Sequence, residues 1–203
     1  MSLNHEEVML FIQETLKSLE YIKGNDIPSI NLYMDQVTTY MDEHLASTKR
    51  SPEDKILTKT MINNYAKNNL LPAPEKKKYS KEHMLIMLFI YYFKNIFAIK
   101  DIESLLNPVT KLFFQSDSTV TMVDIYEEIL SQEQAQMTIK QEAIIAMFEQ
   151  SSTAFMNVDV ENKEYLQLFS FLCSLSFDVY QKKFLMEKLI DEFCVAQQEA
   201  SND

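Results

Sequence analysis

Residues 58–80 read Thr58-Lys59-Thr60-Met61-Ile62-Asn63-Asn64-Tyr65-Ala66-Lys67-Asn68-Asn69-Leu70-Leu71-Pro72-Ala73-Pro74-Glu75-Lys76-Lys77-Lys78-Tyr79-Ser80. At helical spacing Met61, Ile62, Tyr65 and Ala66 share one face, while Lys59, Thr60, Asn63, Asn64 and Lys67 share the other. The first face belongs to a core. The second is an array of short amides and amines. A cap at Thr58 or Thr60 starts this helix, and it ends near Asn69. Leu71-Pro72-Ala73-Pro74 cannot be helix interior, because each proline lacks an amide donor and restricts its predecessor. Glu75–Tyr79 then reads as an extended basic loop. Ser80 caps a strongly apolar helix over 81–96. A short helix over 99–106 follows, stopped by Asn107-Pro108.

Working outward, the spacing of Val8, Phe11, Ile12, Thr15, Leu16 and Leu19 predicts a first helix capped at Asn4, with Glu7 three residues on as in a capping box. Gly24, Asn25 and Pro28 break the pattern. A second helix is expected over 31–45, followed by a polar connection. Ser51-Pro52-Glu53-Asp54 has the composition of a helix start. From residue 109 to the end, 95 residues pass without glycine or proline. Helices are expected there near 109–115, 119–133, 139–151 and 161–196, the last bent or split near Phe177-Asp178. This divides the chain into an N-terminal part, 1–108, and a C-terminal helical part, 109–203.

Composition narrows the class. The 203 residues contain one glycine, Gly24. Dinucleotide fingerprints, phosphate loops and nucleophile elbows need two or more glycines and cannot be built. Tight hairpin turns also favour glycine, so the expected fold is all-α, with at most a tiny β wing. His5, His44 and His83 stand apart from one another and from cysteine at metal-ligand spacing, so no metal site, cofactor or enzymatic centre is expected. Cys173 and Cys194 are read as two reduced core thiols rather than a disulfide. The N-terminal segment lacks the basic region of a secretory signal, and the longest apolar run, Met84–Phe93, is about half of the roughly 20 residues that span a bilayer. The expectation is a cytoplasmic protein without a membrane partner.

The formal charge of −11 is unevenly spread. Residues 1–47 hold 2 basic and 8 acidic side chains, residues 48–111 hold 12 and 6, and residues 112–203 hold 5 and 16. The basic middle can attract a polyanion locally, because screening confines fields to about 10 Å. Asparagine can pair with an adenine edge, lysine with guanine or phosphate, and one helix fits the major groove.

The order of helix, Leu-Leu-Pro, basic loop, Tyr-Ser, apolar helix and short helix resembles the winged helix-turn-helix of the MerR regulator family. Asn69-Leu70-Leu71-Pro72, Lys77-Lys78-Tyr79-Ser80 and Phe97-Ala98-Ile99-Lys100-Asp101-Ile102-Glu103-Ser104-Leu105-Leu106 stand in its signature positions. Leu57–Leu106 also resembles a bacterial family known as a domain of unknown function (number 1836), found mainly in Gram-positive Firmicutes. The MerR resemblance implies a recognition helix over 59–69, with Asn63 at the place of an arginine and Tyr65 at that of a tyrosine. It implies a wing in which Lys77 takes the place of an arginine. Asn69 replaces a glycine, and the connection over 46–58 is longer than in MerR regulators.

The function this reading implies is a sequence-specific DNA-binding transcriptional regulator. Lys59, Thr60, Asn63, Asn64, Tyr65, Lys67, Lys76, Lys77, Lys78 and Tyr79 would contact double-stranded DNA. The protein would act as a homodimer, and the C-terminal helices would dimerise or sense a small-molecule or protein effector. The alternative is a protein-interaction module on a winged-helix scaffold that no longer binds DNA.

Overall fold

The computed structural model describes residues 4–157 and 162–194. They form seven α-helices and one two-stranded sheet. By contact the chain divides into two compact units. One holds Tyr21–Leu130 and the described residues from Met186 onward. The other holds the described residues through Glu20 together with Ser131–Leu185.

In the first of these units, β1 (Leu32–Tyr33) runs directly into α2 (Met34–His44). The chain continues through a short 3-10 turn at Ala46–Thr48 to α3 (Lys59–Lys67), then β2 (Lys78–Tyr79), α4 (Lys81–Phe93) and α5 (Ile99–Phe113). The strands pair antiparallel, Leu32 opposite Tyr79 and Tyr33 opposite Lys78. Leu32 and Tyr79 are both buried, so the sheet is fixed to the core through one cross-strand pair. Helix α4 is the centre of that core, and every residue from His83 to Tyr91 is buried. Each large side chain so buried contributes about 1.5–3 kcal/mol of hydrophobic stabilisation. Ser80 and His83 form a capping box at its start.

Helix α3 begins at Thr58, whose side chain accepts from the Met61 amide. It ends in a Schellman motif. Asn69 takes the left-handed conformation at φ 56°, Leu70 N–H donates to Tyr65 O at 2.9 Å, and Asn69 N–H donates to Ala66 O at 3.3 Å. Asparagine here does what glycine usually does.

Several sequence expectations need correction. Pro108 does not stop a helix: α5 runs through it from Ile99 to Phe113, merging the segments 99–106 and 109–115. The lost backbone bond is offset by burial of Ile102 and Leu106 and the partial burial of Val109 and Phe113 on one side. The helices expected near 119–133 and 139–151 are one helix, α6 (Met122–Ser152), because nothing between them breaks a helix. Helix α7 (Lys163–Leu189) passes straight through Phe177-Asp178 and closes in a π turn, Ile190–Cys194. The expected helix ends at 161 and 195–196 lie outside the described residues. Ser51–Asp54 is a turn, in which Asp54 accepts from the Arg50 and Ser51 amides. The strand Leu32–Tyr33 stands where a helix was expected from residue 31.

The other unit contains α1 (His5–Lys17), whose N-cap Asn4 accepts from the Glu6 amide, with 131–152 of α6 and 163–185 of α7. Phe148 and Phe171 meet edge to face, centroids 5.2 Å apart, and His5 stacks on Phe148. Among the described residues of the chain, no helix is long and apolar enough to cross a membrane.

Candidate nucleic-acid interface

The outer side of α3 is open. Lys59, Thr60, Asn63, Asn64 and Lys67 are all exposed, over a helix of about 12 Å. Ile62 and Tyr65 hold the opposite side in the core. The five exposed side chains span an arc of about 140° of the helix.

The basic loop is not extended. Lys76 and Lys77 both have positive φ, 49° and 64°, and Lys78 N–H donates to Glu75 O at 2.9 Å. This is a two-residue turn of type I′, a geometry that favours Asn-Gly and that lysine occupies at a cost. Lys76 and Lys77 form its exposed tip. Lys78 is half-buried, its ammonium 5.0 Å from the centroid of the Tyr33 ring. Tyr33 is itself exposed, on β1.

Two expected contact residues belong to the core instead. Tyr65 is 7% exposed and Tyr79 3%. Burial pushes both hydroxyls above their ordinary pKa. Tyr65 is held in by the Schellman turn and Tyr79 by its strand pairing with Leu32. Neither ring is free to lie against a ligand.

The turn and α3 are tied together through α2. Lys59 pairs with Asp35, in the first turn of α2. Asp35 follows Tyr33 by two residues, and Tyr33 pairs with Lys78. One run of contacts therefore links the start of α3 to the base of the lysine turn.

The connection over 45–58 is latched to α4. Lys94 donates to Ile56 O at 2.8 Å and lies over the Tyr91 ring at 4.7 Å. Burial pulls the Lys94 ammonium below its usual pKa. Thr48 Oγ1 meets the Tyr91 hydroxyl at 2.5 Å. Lys49 donates to Asp42 at 2.8 Å, and that contact holds the Asp42 carboxyl below the usual carboxylate range. Between α2 and the start of α3 lies an open groove of about 560 Å³, lined by Thr38, Asp42, Lys55, Thr58, Lys59 and Thr60. Among the described residues no three His, Cys, Asp or Glu side chains gather in a way that could hold a metal ion.

The family model described as a domain of unknown function, DUF1836, matches residues 22–129, more than half of the chain. The chain belongs to that family. The DUF1836 match begins and ends within one residue of Tyr21–Leu130, the segment that carries α3 and the lysine turn. No curated protein and no solved structure matches the chain.

Sequence reasoning missed Tyr33. A two-residue strand leaves no periodicity, and only its pairing with Lys78 singles it out.

Proposed function

We propose that the DUF1836 unit is a MerR-like winged helix-turn-helix and that the protein is a sequence-specific DNA-binding transcriptional regulator. Helix α3 enters the major groove, where Asn63 and Asn64 meet base edges and Lys67 meets guanine or phosphate. The turn carrying Lys76 and Lys77 lies along the backbone and supplies affinity rather than sequence choice. Lys78, held against Tyr33, stiffens the base of that turn. The observation that carries this reading is the joint exposure of five polar and cationic α3 side chains and of a lysine-tipped turn tied to the same helix.

The test is a fluorescence-anisotropy titration against the DNA upstream of the protein's own gene, at several salt concentrations, with random duplex as the competitor. The upstream DNA should bind more tightly than random DNA, and binding should weaken as salt rises. Replacing Lys76, Lys77 and Lys78 together by alanine should flatten the salt slope by up to about 3 units. Replacing Asn63 should change sequence preference instead. Affinity that never exceeds that for random DNA defeats the proposal.

A further inference from the structure

The unit formed by α1, 131–152 of α6 and 163–185 of α7 lacks a closed core. Among its described apolar side chains only Phe148 and Phe171 are buried. Helix α7 turns Phe171 toward α6. Its opposite side carries Tyr165, Phe169, Leu172, Val179, Tyr180 and Phe184, each 51–67% exposed. These positions fall within about 140° of one another and run some 28 Å along the helix. A helix that is apolar on both sides belongs in an interior, and one of these sides is bare.

We infer that a second copy of this chain covers the face, pairing α7 against α7. Three observations favour that occupant. First, the area fits: an aromatic side chain removes about 150–250 Å² from water on burial, so the four half-exposed aromatic residues with Leu172 and Val179 leave on the order of 600–700 Å² to be covered. A standard stable interface buries about 800 Å² on each partner, and a monomer's largest apolar patch is usually about 300–600 Å². Second, the first three turns of the face are neutral, and Lys183 is the one charged side chain that falls within the arc before Phe184. From Tyr165 to Phe177 there is no charged residue, in a chain whose net charge is −11. Residues 112–203 hold 5 basic and 16 acidic side chains, so two copies of this acidic part repel except along such an uncharged stretch, whereas a basic partner would seek the acidic surface. Third, the pattern is self-complementary: Ser176, at its centre, leaves a shallow gap between Leu172 and Tyr180 into which large side chains of an identical stripe can set. The segment lies outside the family match, so the inference holds whether or not α3 binds DNA.

The test uses the full chain without DNA, in sedimentation velocity over a range of micromolar concentrations. The expected species has twice the 23.8 kDa of one chain. Phe169→Glu and Tyr180→Glu should each weaken the dimer about tenfold or more, as central aromatic anchors do. Should either variant fail to fold, a cross-link decides: with Cys173 and Cys194 replaced by serine, Ser176→Cys should give a covalent dimer with a short bismaleimide. Exposed Ser29→Cys in the same background should not. A chain that stays monomeric throughout, a dimer unaffected by both glutamates, or an absent Ser176→Cys cross-link overturns the inference. So does native mass spectrometry that finds a small apolar molecule on a single chain.

Discussion

Lys59, the first residue of α3, is ion-paired with Asp35 in the first turn of α2. Both side chains are largely exposed, so the pair adds little to stability, about 1 kcal/mol at most. Its effect is on the charge α3 can offer. Asp35→Asn should leave the thermal midpoint nearly unchanged and, on the proposed reading, tighten DNA binding about two- to threefold at low salt, an advantage that high salt removes. Thermal unfolding and anisotropy check the two halves. An unchanged affinity would mean that Lys59 does not face DNA.

Lys76 and Lys77 hold a turn for which their side chains are poorly suited. Each left-handed non-glycine residue costs about 1–2 kcal/mol. Replacing the pair by Asn-Gly, the preferred chemistry of this turn, should raise stability by about 1 kcal/mol or more. The same change should flatten the salt dependence of DNA binding by about 2 units. The opposed signs are the point: a more stable protein that binds DNA less well means that the strained lysines serve the ligand. If stability rises and binding stays as it was, the turn is not a wing.

His83 is 1% exposed and joins β2, α4 and the end of α5. Its Nδ1 accepts from the Ser80 amide at 3.0 Å, so its proton sits on Nε2. Burial pushes its pKa below the ordinary 6.5, and the nearby Ala73 and Pro72 backbone only partly offsets this. The folded state therefore binds fewer protons than the unfolded one around the lower pKa range. Stability from this group is complete above pH about 6.5 and declines as pH falls below it. Glutamine at the same place can still accept the Ser80 amide. His83→Gln should thus shrink the fall in thermal midpoint between neutral pH and pH about 5. An identical fall in both proteins would assign it to carboxylates elsewhere.

What the sequence disclosed follows from which signals are local. The two faces of α3, the left-handed tolerance of Asn69, the cap at Ser80 and the apolar run of α4 are all written within a turn or two of chain. Exposure of Lys59, Thr60, Asn63, Asn64, Lys67, Lys76 and Lys77 was legible for the same reason. The turn at Lys76-Lys77 was not, because two adjacent lysines give no local signal for left-handed backbone, although the turn is closed locally by the Lys78 amide on Glu75 O. Tyr65 and Tyr79 were misplaced because a tyrosine beside polar residues reads equally as a contact or as core. Pro108 misled because a proline is a stop signal only where packing does not hold the helix on both sides of it. The bare side of α7 was invisible for the opposite reason: apolar content predicts a need for burial, and whether that need is met depends on the distant elements that pack against the helix.

Gly24, the single glycine, owes its place to space rather than to backbone freedom. It is buried in a 3-10 turn, and its φ is not positive. A Cβ at this position would collide with Glu127 Oε1 and stand 3.1 Å from the carboxyl carbon of α6. With ordinary φ, alanine would by itself stabilise by about 0.4–1 kcal/mol, by restricting the unfolded chain. The obstacle is the tip of a flexible side chain, so Gly24→Ala should force Glu127 to rotate rather than displace the backbone. A double-mutant cycle follows. Gly24→Ala should be destabilising in the parent and neutral or stabilising in a Glu127→Ala background, with a coupling of about 1 kcal/mol. Urea unfolding of the four proteins measures it. Strictly additive effects would mean that the carboxylate does not rest on Gly24 in solution.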